Sequence, residues 1–189
     1  MTAVRRTRRG VVVSFDEVET SLLRHLVGEV RDLLVDEDVP PARAGSDPAS
    51  GLPSDADLAA LTGIGGADRD RPDDPALARL LPDAYRDDPA AAGEFRRLTE
   101  ASLRRDKVDA AERLLAALPK DGAGEVRLDA KTTESWLSTL NDVRLALGTR
   151  LEVTEEMAEP DPEDPDAPAY VVYLWLTELQ GVLIEVADS

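Results

Sequence analysis

The segment that decides the fold is DAKTTESWLSTLNDVRLALGTRL, which spans residues 129–151. Its apolar residues recur every three or four positions, the spacing that gathers side chains on one face of a helix. They are Trp136, Leu140, Val143 and Leu147. Asp129 stands just before the pattern and can accept hydrogen bonds from the amides of a first helical turn. Gly148 stands near its end, where a left-handed residue often terminates a helix. The segment is therefore predicted to be an amphipathic core helix.

A charged residue, Arg144, falls inside this apolar stripe. At about 100° per residue its side chain projects between Leu140 and Leu137. A guanidinium in that position extends along its stem to solvent or pairs with a carboxylate. We predict a structural ion pair of Arg144 with Glu29 or Glu19, both on the first predicted helix of the chain, which runs to about Val35. The alternative is contact with an anion or a partner.

The chain as a whole is predicted to be mainly α, a single-domain helical bundle over 1–189 with a small N-terminal β-hairpin. Three consecutive valines before position 14 favour a strand. A hairpin over 4–15 would then turn at Arg9 and Gly10. The stretch 125–128 is a candidate third strand that can add to this hairpin.

Helices are predicted from start signals and apolar periodicity together. Either Ser14 or Asp16 can cap a helix that runs to about Val35, because a glutamate follows each of them three residues later. Short helices are expected over 54–61 and 74–81, the second with a proline at its first position.

A long helical pattern over 89–118 has apolar residues on two different faces. Phe95 and Leu98 point nearly opposite to Leu114 and Leu118 at helical spacing. A break near 104–107, or a helix that crosses between two packing layers, would reconcile them.

The last helix, predicted over 170–186, is apolar around most of its circumference. Only Glu178 and Glu185 share an obvious polar face. Such a helix belongs in a core or in a dimer interface. Its most apolar run, 170–176, is too short to span a bilayer.

Two stretches are predicted to be flexible loops, 36–54 and 152–168. The second contains eight acidic residues, four prolines and no basic residue. Such composition is typical of a solvated loop. Mimicry of nucleic-acid charge and metal binding are alternatives, although the acidic spacing is not that of a calcium loop. A glycine-rich run at 63–66 lacks the lysine of a phosphate-binding loop and is interpreted as a connection.

Composition restricts the classes of function. The 189 residues suffice for one substantial core, and the net charge of −17 repels nucleic acid and favours a basic protein partner. The chain contains no cysteine, which excludes disulfides and thiolate catalysis. The single histidine, His25, lies among no ligand-like neighbours in the sequence. We therefore predict no catalytic, metal or cofactor site, and a cytoplasmic protein that does not enter a membrane.

Two arginine clusters are the candidate contacts for a partner. Their members are Arg5, Arg6, Arg8 and Arg9 near the N-terminus, and Arg96, Arg97 and Arg104 in the long helix. For the helical cluster, a solvated face is the alternative interpretation.

Three segments carry a family resemblance that extends over nearly the whole chain. They are the 129–151 helix, the run FRRL at 95–98 and the run LWLTELQG at 174–181. With them the chain resembles a small actinobacterial family labelled a domain of unknown function (DUF2017-like), typified by an oxidative-stress regulator. The resemblance implies a regulator that associates with an alternative sigma factor. It also implies a cysteine pair near the N-terminus, but this chain has none, so no thiol switch is expected.

The leading hypothesis is therefore a non-enzymatic regulatory protein that acts through protein–protein binding, with a sigma factor or RNA polymerase as partner. The alternatives are a structural homodimer assembled through the last helix and an enzyme that uses carboxylate or arginine chemistry.

Overall fold

The computed structural model describes residues 2–35, 72–85, 87–120, 122–154 and 163–188. The predicted helix at 54–61, the loop at 36–54, the glycine-rich run and the centre of the acidic loop lie outside these ranges. The described part is mostly helical with one small antiparallel sheet, as the sequence predicts.

The sheet consists of three strands in the order β1-β2-β3. They are β1 (Ala3–Thr7), β2 (Gly10–Phe15) and β3 (Gly124–Leu128). Both pairings are antiparallel, so the hairpin and its third strand are confirmed. Gly10 has a φ of 126°, and a Cβ at this residue would lie 2.1 Å from the carbonyl oxygen of Leu128. The tight turn into β2 therefore requires glycine.

The first helix, α1 (Glu17–Leu34), begins at a capping box. Of the two predicted caps, the structure uses Asp16, whose side chain accepts from the Glu19 amide at 2.9 Å. The Glu19 carboxylate in turn accepts from the Asp16 amide at 2.9 Å. Ser14 instead lies within β2, where it pairs with Ala3 and Glu125.

Two further helices begin at an aspartate followed by proline. Asp74 caps α2 (Pro75–Leu80), and Asp88 caps α3 (Pro89–Ala117). The helix assignment of α3 is unbroken through 104–107. Its conflicting apolar faces have a different explanation, because Phe95 and Leu98 are exposed whereas Leu114 is fully buried. The residues of α3 that join the main core cluster, Ala111 and Leu114, lie in its second half.

The last two helices, α4 (Ala130–Arg150) and α5 (Ala167–Asp188), pack against each other in opposite directions. Asp129 caps α4 as predicted. Gly148 does not end it, because the residue with positive φ is Glu152 at 51°. A Cβ on Gly148 would lie 3.0 Å from Cε2 of Tyr173, so this glycine permits close approach of α5. The prediction of a left-handed Gly148 is wrong.

The core lies between the sheet and the helices. Phe15 from β2 stacks on Trp136 of α4, with ring centroids 6.1 Å apart. Trp136 is 1% exposed, and Leu140 and Val143 of the predicted stripe are equally buried. On α5, Leu176, Leu179 and Leu183 face this core while the opposite face stays exposed. One face of the last helix thus packs into the core, and the opposite face is exposed.

Candidate functional site: two arginine clusters

The hairpin arginines all lie at one end of the molecule. Arg5 is on the sheet face that points away from the core, where its Nη2 lies 3.1 Å from Oε1 of Glu125 on β3. Both side chains are about half exposed, at 54% and 44%. Such a surface ion pair contributes little to stability. Arg5 therefore remains accessible to a partner.

Arg6 connects β1 to the end of α5. Its Nη1 donates to the carbonyl oxygens of Val186 and Ala187, at 3.2 and 3.0 Å. These carbonyls belong to the last turn of the helix, which carries partial negative charge. Arg6 thus stabilises the end of α5 although its side chain is exposed.

Arg8 and Arg9 form the hairpin turn and are exposed. Arg6 and Arg8 also line a cavity of about 350 Å³ between the hairpin, the start of α4 and the end of α5. Thr133 and Glu134 line the same cavity from α4. The turn thus presents two exposed arginines beside this cavity.

The arginines of α3 are in a different environment. Glu100 is 4% exposed and receives Arg104 at 2.8 Å and Arg96 at 3.7 Å, each one helical turn away. Arg96 also pairs with Asp83 from the segment before α3. Both arginine side chains are nearly buried, at 11% and 12% exposure. The structure thus uses Arg96 and Arg104 internally.

Arg97, on the neighbouring helical position, is exposed. Arg104 also reaches the carbonyl oxygen of Leu34 at 3.4 Å, which ties α3 to the end of α1. The i, i+4 spacing of Arg96, Glu100 and Arg104 was the sequence signal for this cluster. The role of Glu100 itself was not predicted.

A second buried ion pair joins α3 to α4. Nζ of Lys107 lies 2.6 Å from Oδ1 of Asp142, and their side chains are 17% and 8% exposed. Burial raises the pKa of Asp142 above its ordinary value, and the bond from Lys107 opposes that rise. Lys107 thus compensates the negative charge of Asp142. Sequence reasoning missed this pair, because the two residues are 35 positions apart.

Arg144 contacts α5. Its guanidinium carbon lies 5.9 Å from the ring centroid of Tyr173, a cation–π arrangement. Glu19 is engaged in the capping box and accepts from the hydroxyl of Thr2 at 2.8 Å. Glu29 is exposed beside a small groove between α1 and α4. The ion pair of Arg144 with either glutamate stays a prediction, which these contacts do not support.

Within the described ranges, histidine, aspartate and glutamate form no group of three that could hold a metal ion. His25 is exposed on α1. The arrangement of charges therefore consists of internal ion pairs on α3 and α4 and accessible arginines on the hairpin.

This geometry defines a mainly helical protein with a three-stranded sheet and an arginine-bearing hairpin. The chain belongs to the family described as a domain of unknown function (DUF2017), whose model matches residues 1–187. It is similar to proteins named oxidative stress regulator AosR in Mycobacterium tuberculosis and Mycobacterium bovis. Each is 37% identical over 180 residues, which cover 88% of this chain and 77% of the relative.

A relative in Mycobacterium leprae is 36% identical over the same share of both chains. No solved structure matches the chain. The relatives' names support a regulatory role in oxidative stress, and the family resemblance seen in the sequence is confirmed.

Proposed function

We propose that this protein is a non-enzymatic regulator of the oxidative-stress response that acts in the cytoplasm by binding another protein. An alternative sigma factor is the partner that the family resemblance implies, and RNA polymerase is the other candidate. The observation that carries the proposal is the 37% identity to proteins named as oxidative stress regulators, which spans 88% of the chain. A likeness of this extent makes it reasonable to transfer the regulatory role.

The charge of the chain supports this type of partner. A protein that binds DNA carries a basic surface. A chain with a net charge of −17 attracts such a surface over long range and repels the DNA itself. Electrostatics therefore favour binding to a transcription protein over direct binding to nucleic acid.

Within this proposal, the hairpin is the better of the two candidate arginine surfaces. Arg5, Arg8 and Arg9 are exposed and can contact an acidic part of a partner. Arg96 and Arg104 form internal ion pairs, which leaves Arg97 as the exposed member of the helical cluster. With no cysteine in the chain, the signal must reach the complex through something other than a thiol of this protein.

The proposal is tested by crosslinking and affinity capture of the tagged chain in its native host, with and without peroxide. We expect recovery of a sigma factor or RNA polymerase with the wild type. The double variant Arg8→Glu/Arg9→Glu should recover clearly less. A matched control, Arg105→Glu/Arg113→Glu, changes two exposed arginines of α3 and should recover as much as the wild type. Recovery of the chain alone would contradict the regulator and favour the structural homodimer.

A further inference from the structure

A groove with an apolar floor lies between β1 and α5, away from the hairpin turn. Its volume is about 250 Å³. Val4 contributes to the floor from β1, and Trp175, Leu179 and Val182 contribute from α5. A groove of this size accommodates one or two apolar side chains of another molecule.

A chain of hydrogen bonds fixes the wall of the groove. Nε1 of Trp175 donates to Oγ1 of Thr2 at 3.1 Å, and the Thr2 hydroxyl donates to Oε1 of Glu19 at 2.8 Å. Glu19 is itself held by the amide of Asp16. The indole is therefore oriented before any partner arrives, which lowers the entropic cost of binding.

Carboxylates form the rim of the groove. Glu19 lines one side and Glu178 the other. Besides Glu178, helix α5 carries Gln180, Glu185 and Asp188. It contains no lysine or arginine from 167 to 188. Glu163, Asp164 and Asp166, which precede it, are exposed and acidic as well. No lysine or arginine is among the residues that line the groove, so its rim is acidic.

The groove continues onto an exposed apolar face of α5. Val171 and Leu174 are 63% and 42% exposed. By length and composition alone α5 is apolar enough to span a membrane, with a mean hydropathy of 1.3 over its most apolar stretch. In this structure 22% of that stretch is buried against the rest of the protein. Its inner face nevertheless packs on the core through Leu176 and Leu183. The outer face is the part left for another molecule.

We propose that this acid-rimmed groove, with the adjoining face of α5, binds a basic amphipathic segment of the partner protein. The inference rests on the proposed function and adds a second surface for the same partner beside the hairpin arginines. Apolar side chains of the segment fill the floor, and its lysines or arginines meet Glu178 and Glu19. A second copy of this chain would bring like charges together at the same face. An anionic lipid surface is repelled for the same reason.

The groove is tested directly with a synthetic amphipathic peptide of leucine and lysine, added to the full-length protein. Trp175 reports binding by its fluorescence, because the other tryptophan, Trp136, is buried. We expect the fluorescence change to saturate as the peptide concentration rises, and the peptide affinity to fall as salt is added. A peptide of leucine and glutamate with the same pattern should produce no change.

Two variants with equal net charge separate the groove from general attraction to an acidic protein. Glu178→Lys changes the rim, and Glu112→Lys makes the same change on the exposed surface of α3. We expect the first to weaken peptide binding about tenfold and the second to leave it nearly unchanged. Equal effects of the two variants would overturn the groove as the binding site.

The same variants distinguish failure of the groove from failure of the proposed function. If the host partner is recovered by Glu178→Lys as well as by the wild type, the groove is not its binding surface although the regulator proposal stands. Concentration-dependent dimerisation abolished by Glu178→Lys, or cosedimentation of the chain with phosphatidylcholine vesicles, would assign the face to a second copy or to a membrane and overturn the inference. Peptide binding at the groove with no partner recovered would support the surface and count against the regulator.

Discussion

The two arginine clusters are chemically alike in the sequence but occupy opposite environments in the molecule. Arg5 on the hairpin is 54% exposed and forms a surface pair with Glu125. Arg104 on α3 is 12% exposed and bonded to Glu100, which is itself 4% exposed. Exposed pairs contribute little, whereas removing one partner of a buried pair leaves an uncompensated charge. The hairpin is therefore available for binding, and the α3 cluster maintains the fold.

Among the variants that test this contrast, substitution of Glu100 should cause the largest loss in the free energy of unfolding. Glu100→Gln removes the charge that both Arg96 and Arg104 face, and we expect the free energy of unfolding to fall by about 3 kcal/mol. Urea denaturation measures this change. Glu94→Gln is the matched control on the same helix, because Glu94 is exposed. A control that loses as much stability as Glu100→Gln would contradict the structural role of the buried cluster.

The Lys107–Asp142 pair should show the next largest effect, with a distinctive pH dependence. Lys107→Met leaves Asp142 buried without its ammonium partner, and we expect a loss of about 2 kcal/mol near neutral pH. Because burial raises the pKa of Asp142 in the folded state, its protonated form favours folding. That contribution is full below the unfolded pKa of about 3.9 and is lost as pH rises through the folded value.

The stability difference between Lys107→Met and the wild type should therefore narrow as the pH is lowered toward about 4. Urea denaturation at both pH values tests this expectation. Hydrogen bonds from backbone amides lower the pKa of Asp16 and Asp129, so these caps lose stability in acid. This loss is common to both proteins and cancels in the difference. For an exposed control, Lys120→Met, the difference in unfolding free energy from the wild type should not depend on pH. If the difference for Lys107→Met does not change with pH either, an unpaired Asp142 is excluded as its cause.

A smaller effect is expected at the surface pair of the sheet. Arg5→Gln removes the contact with Glu125, and we expect a loss of no more than about 1 kcal/mol, reduced further by added salt. Thermal unfolding at low and high salt measures it. A loss as large as that of Glu100→Gln would show that the hairpin arginines are structural as well.

The smallest effect on stability is expected at the hairpin turn. Arg8→Glu/Arg9→Glu alters two exposed side chains and should change the free energy of unfolding by less than about 0.5 kcal/mol. The melting temperature of this variant, compared with the wild type, provides the measurement. Preserved stability together with reduced partner recovery would sharpen the comparison, since no buried pair is involved. A destabilised variant would remove the turn as a separable binding surface.

Much of the architecture could be predicted because its signals are local. Asp129 caps a helix as predicted, Pro75 stands at the first position of a short helix as predicted, and the three-stranded sheet follows from short β-branched runs and a tight turn. The phase conflict of α3 was visible as well, but its resolution was not. Periodicity reports which faces are apolar, and it does not report which of those faces another element covers.

The candidate sites were less predictable because they depend on distant residues. Gly148 was assigned to a helix end from its position, whereas its actual role depends on Tyr173, a residue of another helix. The groove beside Trp175 joins β1 to α5, at opposite ends of the chain. No local pattern indicates such a juxtaposition.

The sequence by itself determined the helical class, the Asp129 cap, the hairpin, the acidic charge and the family to which the chain belongs. The first four depend on residues close together in the chain or on composition alone, and the family depends on the sequence over residues 1–187. Only the tertiary structure decided which arginines are buried, which half of α3 enters the core and which face of α5 stays exposed. Burial and pairing depend on which elements meet, and the meeting of Lys107 with Asp142 or of Thr2 with Trp175 is fixed by packing of the whole chain.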